Sequence, residues 1–147
     1  RLEHGEERFK TIRLRQYSVY DDYREAFENT DCFDAIISLE VVEHLYSPEA
    51  FMSRIAQALV PGGVVILSTP YHGYLKNLAL AASGRFDRHF TALWEGGHIK
   101  FWSKATLMRL LEKHGFERVE FRGVGRFPWL WKSMIVWGYK AYPYTQL

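Results

Sequence analysis

The stretch FDAIISLEVVEHLYSPEAFMSRIAQALVPGGVVILSTP, from Phe33 to Pro70, decides the fold. It opens and closes on apolar runs, FDAIISL at Phe33 to Leu39 and GVVILSTP at Gly63 to Pro70, rich in β-branched residues and without polar alternation. Such runs fit strands buried on both faces of a parallel sheet. Between them, Phe51, Ile55, Ala58 and Leu59 recur at helical spacing over Pro48 to Leu59, behind Ser47 as N-cap with Pro48 in the first helical position. Val60-Pro61-Gly62-Gly63 then supplies a stop and a return turn, because proline cannot continue a helix and glycine tolerates unusual backbone angles. The order is strand, helix, strand.

The alternation extends outward. Upstream, Ile12 to Val19 is expected as a strand and Asp22 to Glu28 as a short helix before the Asn-Thr-Asp turn at Asn29. Downstream, Tyr71 to Ala82 and Ser103 to His114 read as helices, the second capped by Ser103 and closed by Gly115. Phe116 to Gly123 and Ser133 to Tyr142 then read as strands. Their Gly-Arg-Phe-Pro link is too short for a parallel crossover, so the pair is antiparallel.

With 147 residues, 48% apolar and 24% charged, the chain has the make-up of one soluble globular domain and no room for a second. Nineteen basic against 17 acidic side chains leave +2, too balanced to favour nucleic acid as a partner. One cysteine, Cys32, excludes an internal disulfide and fits a cytoplasmic setting. No apolar run approaches the roughly 20 residues of a membrane span, which argues against an integral membrane protein. The charged opening RLEHGEERFK, starting at Arg1, reads as the end of a helix in progress, so the chain is expected to be the later part of a longer protein.

An α/β alternation that ends in an antiparallel hairpin, with EVVEH after one strand and PGG before the next, resembles class I S-adenosylmethionine-dependent methyltransferases. The ubiquinone-biosynthesis O-methyltransferase type is the nearest in pattern, and the likeness runs from about Ile12 to Tyr142. The resemblance implies a Rossmann-like methyltransferase sheet forming a single domain over 1–147, truncated at its N-terminus, with a substrate-covering lid at about 71–97. It also implies S-adenosylmethionine as cofactor and a small-molecule acceptor. The family's Gly-rich turn after its first strand, and the acidic residue after its second, have no counterpart here. By resemblance, the missing strands would leave an unpaired sheet edge, and a homodimer through that edge is expected.

Glu40, Glu43 and His44 stand at i, i+3 and i+4, a spacing that brings side chains to one face of a helical turn. Carboxylates and an imidazole converging there suit a divalent cation, Mg²⁺ or Mn²⁺. The resemblance to metal-dependent O-methyltransferases adds His98, in GGHIKFWS, as a distant fourth ligand. The alternative is that Glu40 and Glu43 line the cofactor cleft while His44 packs locally, without a metal. His98 is open to a role as ligand, as general base or as a hydrogen-bonding turn residue. Resemblance further places Ser18 and Val19 beside the adenine, and Ser38, Leu39 and Glu40 beside the methionine portion of the cofactor.

His72 and His89 flank the lid stretch and read first as lid or surface residues. The aromatics Phe127, Trp129, Trp131, Trp137, Tyr139, Tyr142 and Tyr144 suit packing against the sheet, more than an apolar acceptor or, with Arg126, Lys132 and Lys140, a membrane-surface contact. Oxygen methylation of a small molecule is the first reading. A non-catalytic assembly module is the second, and RNA 2′-O-methylation, which lacks a basic patch, the third.

Overall fold

A computed structural model describes residues 15–26 and 33–143. Among them run α1 (Tyr23–Ala26), β1 (Phe33–Leu39), one 3₁₀ turn (Val42–His44), α2 (Pro48–Ala58), β2 (Leu59–Pro70), α3 (Tyr74–Ala82), α4 (Phe86–Phe90), α5 (Lys104–Lys113), β3 (Phe116–Val124) and β4 (Ser133–Lys140). The sheet order is β1-β2-β4-β3. β1 and β2 are parallel, joined by the α2 crossover, and β4 lies antiparallel to both β2 and β3. The antiparallel pair is as the short link requires; that the last strand slots in beside β2, with β3 outside it, is the structure's addition.

The helix caps work as the sequence suggests. The Ser47 hydroxyl accepts from the Ala50 amide at 3.4 Å. Ser103 and Thr106 form a reciprocal capping box at the start of α5. Pro61-Gly62-Gly63, expected as a turn ahead of β2, is instead a bulge within it. Leu59 pairs with Phe33 and Val64 with Ala35, so the stretch from 59 to 64 spans two residues of β1, and Gly62 takes a left-handed φ of 81° to absorb the surplus. α3 starts three residues later than expected. The Tyr71 and His72 amides donate to the carbonyls of Lys132 and Trp102, which leaves no first helical turn to build there.

Phe51, Met52 and Ile55 of α2 and Leu107, Leu110 and Leu111 of α5 bury Val65, Leu67, Met134 and Val136 on one face of the sheet. The expectation that β1 is buried on both faces does not hold. Ile36 and Ser38 share the helix-covered face with Val65 and Leu67, whereas Ile37 and Leu39 face the other way and are each 62% exposed. Among the described residues only β2 pairs with β1.

The expected strand from Ile12 to Val19 lies outside the described residues at 12–14. Its described part, 15–19, is irregular and enters a turn: the Ser18 amide donates to the Asp21 carboxylate and the Tyr20 amide to the Ser18 hydroxyl. These local bonds take the place of a strand ladder. The end of the expected Asp22 to Glu28 helix also falls outside the described residues. No helix among them is long and apolar enough to cross a membrane.

Candidate active site at the carboxyl end of β1

β1 ends in a sharp reversal. Glu40 adopts a left-handed φ of 54°, a conformation that costs a non-glycine residue about 1 kcal/mol. Four bonds hold it there, one of them from its amide to the Ser68 hydroxyl at 3.1 Å. Its amide donates to the Ser68 carbonyl at 3.0 Å, and its Oε1 accepts from the hydroxyls of Ser68 at 2.8 Å and Ser133 at 3.1 Å. Ser68 lies at the carboxyl end of the parallel neighbour and Ser133 at the start of β4, so the three-strand register itself positions this carboxylate.

The 3₁₀ turn that follows swings Glu43 inward to 1% exposure. The Thr69 hydroxyl donates to its Oε2 at 2.9 Å, while Oε1 has no hydrogen-bond partner. Burial pushes the Glu43 carboxyl above its ordinary range, against the opposing pull of its hydrogen bonds. The Glu43 carbonyl accepts from the amides of Ile99 and Lys100, both at 2.9 Å, and the Trp102 indole donates to the Val42 carbonyl. These bonds draw segment 97–102 onto the turn and bring His98 with it.

His98 Nε2 stands 4.0 Å and His44 Nε2 3.9 Å from the free Glu43 oxygen. His44 Nδ1 lies 3.2 Å from the Gly97 carbonyl, to which it can only donate, so Nε2 is the ring atom turned towards the Glu43 oxygen. The two rings lie 4.9 Å apart, with Trp94 edge-on to both. One carboxylate and two imidazoles thus offer donor atoms within 4.8 Å of one another. An unpartnered buried carboxylate oxygen facing two ring nitrogens fits a divalent cation, and two nitrogen donors favour Mn²⁺ over Mg²⁺. Glu40 stands apart from this trio, because its left-handed backbone breaks the helical spacing that would have carried it to the same face.

Residues 3–120 match a family model described as a methyltransferase domain. The chain belongs to that family. A ubiquinone biosynthesis O-methyltransferase of a Ruegeria species is 33% identical over 133 residues, covering 84% of this chain and 52% of the relative. The methyltransferase domain therefore spans about half the length of that relative. Among solved structures it is similar to the CurJ carbon methyltransferase, with a TM-score of 0.67 at 17% identity over 96% of this chain and 39% of that one. An O-methyltransferase family protein from Burkholderia thailandensis gives 0.66 at 14% identity, over 94% and 38%. The Rossmann-like methyltransferase fold expected from the sequence is thereby shown.

In this methyltransferase domain Ser38, Leu39 and Glu40 occupy the carboxyl edge of the parallel strands, where open α/β sheets take ligands. Ser18 and Val19 belong to the turn preceding α1. The Tyr23 hydroxyl donates to the Val19 carbonyl at 2.6 Å and is itself pushed up to about 12 by burial. Arg54 Nε donates to the Tyr20 carbonyl, which docks this turn on α2.

Beside Glu40 and His98 opens a cleft of about 570 Å³, walled by α3, α4 and the β3–β4 connection. Thr69, Ser68, Ser133 and the cleft cations Lys76, Arg85 and Arg88 were missed by sequence reasoning, and Arg126 and Lys132 were weighed only for a membrane surface. Ser68 and Thr69 had a readable signal, since residues ending neighbouring parallel strands must be neighbours.

Two expectations need correcting. His72 is a core residue, 6% exposed between His89, Phe90 and Phe101, with both ring nitrogens unpartnered. Burial, then the nearby positive charge of Lys76, pushes it down to about 4. The late aromatics divide: Trp131 packs on Tyr71 and Phe121, and Trp137 and Tyr139 are half-buried in β4. Phe127, Trp129 and Tyr142 are exposed, because they lie in the connection and past the last strand; Tyr144 is outside the described residues.

Proposed function

We propose that this chain forms the acceptor side of an S-adenosylmethionine-dependent methyltransferase that methylates a hydroxyl oxygen of a small molecule, with a divalent cation held by Glu43, His44 and His98. The buried Glu43 oxygen, free of partners and facing two imidazoles at the carboxyl edge of the strands, carries this reading. The ubiquinone-biosynthesis O-methyltransferase name of the relatives supports oxygen as the methylated atom.

Glu40 would face the methionine portion of the cofactor together with Ser38 and Leu39, and Ser18 and Val19 would lie towards the adenine. A bound cation would lower the acceptor hydroxyl's pKa and orient its oxygen. His98, half-buried and within reach of the same space, has one lone pair to give: as a ligand it would help hold the cation, and only when it is off the cation would it take the hydroxyl proton as the oxygen attacks the methyl carbon and the carbon–sulfur bond breaks. Segment 71–97, carrying α3 and α4, would cover the acceptor and exclude water.

Calorimetric titration of S-adenosylhomocysteine, with and without Mn²⁺, tests the reading. Micromolar binding is expected for a chain that carries the remaining length of its relatives, weakened at least tenfold by Glu40→Ala. Absence of binding to that longer form overturns it. The exposed Ile37 and Leu39, beside the edge of β1 that no other described strand covers, support pairing with a second copy of this chain, which sedimentation would show as a dimer. A cytoplasmic setting accords with the single cysteine.

A further inference from the structure

Two stretches distant in sequence, 76–88 and 126–132, send cations into the cleft beside Glu40. Lys76 comes from α3, Arg85 from the N-cap position before α4, Arg88 from the middle of α4, and Arg126 and Lys132 from the β3–β4 connection. Glu40 is the one carboxylate lining it, and its Oε1 is already engaged by Ser68 and Ser133. Among the described residues no carboxylate pairs with any of these five cations. A charged face of a single helix would be explained by solvation alone. Convergence from two stretches distant in sequence on a concave surface is not, because bringing like charges together raises the energy of the fold unless an anion offsets it.

Lys76 sharpens the point. Its side chain is 5% exposed, and its Nζ donates to the Tyr71 carbonyl while no acid faces it. Burial, reinforced by Arg126, pushes this amine down to about 8, as expected of a cation kept from water without a counterion. Arg88 and Arg126 present planar donor forks matched to an oxyanion.

We infer that the methyl acceptor carries an acidic group, a carboxylate or a phosphate ester, which Lys76, Arg88 and Arg126 hold in this cleft so that the acceptor hydroxyl lies towards His98. The inference rests on the methyltransferase reading for the word acceptor, while the oxyanion site stands on the cleft alone. Because His98 lines the same cleft, an aromatic or short aliphatic acid would span from the cations to the metal-ligand trio.

The test titrates benzoate, benzamide and inorganic phosphate into the full chain, followed by amide chemical shifts in NMR. Benzoate is expected to bind at least tenfold more tightly than benzamide, to be displaced by phosphate and to weaken with added salt. The double variant Arg88→Gln/Arg126→Gln, at two exposed positions, is expected to lose benzoate binding tenfold or more with unchanged circular dichroism and Tm. Equal binding of benzoate and benzamide overturns the inference, as does an unaffected double variant or no binding of either anion. Competition between benzoate and S-adenosylhomocysteine also overturns it, since the cations would then serve the cofactor's carboxylate. A chain that binds benzoate as expected but, in its longer form, never S-adenosylhomocysteine would sink the methyltransferase reading and leave the oxyanion site intact.

Discussion

Glu43 Oε1 and His98 Nε2 face each other across 4.0 Å with no hydrogen bond to Oε1, although the carboxylate is 1% exposed. A buried acceptor left unpaired costs about 1–3 kcal/mol, and nothing in the packing of the core requires an acid at this position. Glu43→Gln should therefore raise the Tm of the metal-free protein at pH 7. The same change should weaken Mn²⁺ binding, read by water proton relaxation, tenfold or more. A site that gains stability when its metal ligand is removed is one kept for function. Loss of stability with unchanged Mn²⁺ binding would remove the metal from the proposal.

Glu40 makes a different prediction, because its backbone amide and its carboxylate do separate work. Glu40→Gln keeps the amide bond to the Ser68 carbonyl and leaves one side-chain acceptor for Ser68 and Ser133. The Tm should change little. S-adenosylhomocysteine affinity in the longer chain should fall about tenfold, roughly 1.4 kcal/mol, as measured by calorimetry.

The strand-helix-strand unit was legible because each part declares itself locally: β-branched runs, Ser47 before Pro48, and glycines after Val60. The same holds for the antiparallel pair, where link length alone excludes a parallel crossover. Position in the sheet was not legible. No local signal tells Ser133–Lys140 to insert beside β2, a choice made by long-range packing of Met134 and Val136 on the helices. Site residues followed the same division. Glu43 and His44 are near in sequence, and His98 came from resemblance. Thr69 acts through a contact across 26 residues of chain, and Lys76 and Arg126 through a cleft that exists only once stretches 76–88 and 126–132 fold together.

His72 links acid sensitivity to the lid. Its folded value of about 4 lies below the ordinary 6.5, so between those values the unfolded chain binds the extra proton and the folded one does not. Stability should fall as pH drops from 6.5 towards 4, by at most about 3 kcal/mol for this group. His72→Phe, which suits a site walled by Phe90 and Phe101, should flatten the Tm profile over that window. A variant with the same slope as the wild type would place the acid sensitivity elsewhere.

Gly138 marks where α5 meets the central strand. It pairs with Val65 in the middle of the sheet, and a Cβ there would stand 3.1 Å from the Val119 side chain, 3.2 Å from Phe116 Cβ and 3.4 Å from Leu111. The backbone is extended, so φ does not demand glycine; the close approach of α5 and β3 does. Strand propensity alone would favour valine at this position. Packing should win, since overfilling a dense core costs about 1–3 kcal/mol, more than the propensity scale returns. Gly138→Val should therefore lower the urea midpoint without changing the m-value. It should also leave Mn²⁺ binding untouched, because the trio of Glu43, His44 and His98 hangs on β1, β2 and the segment before α5 rather than on β4.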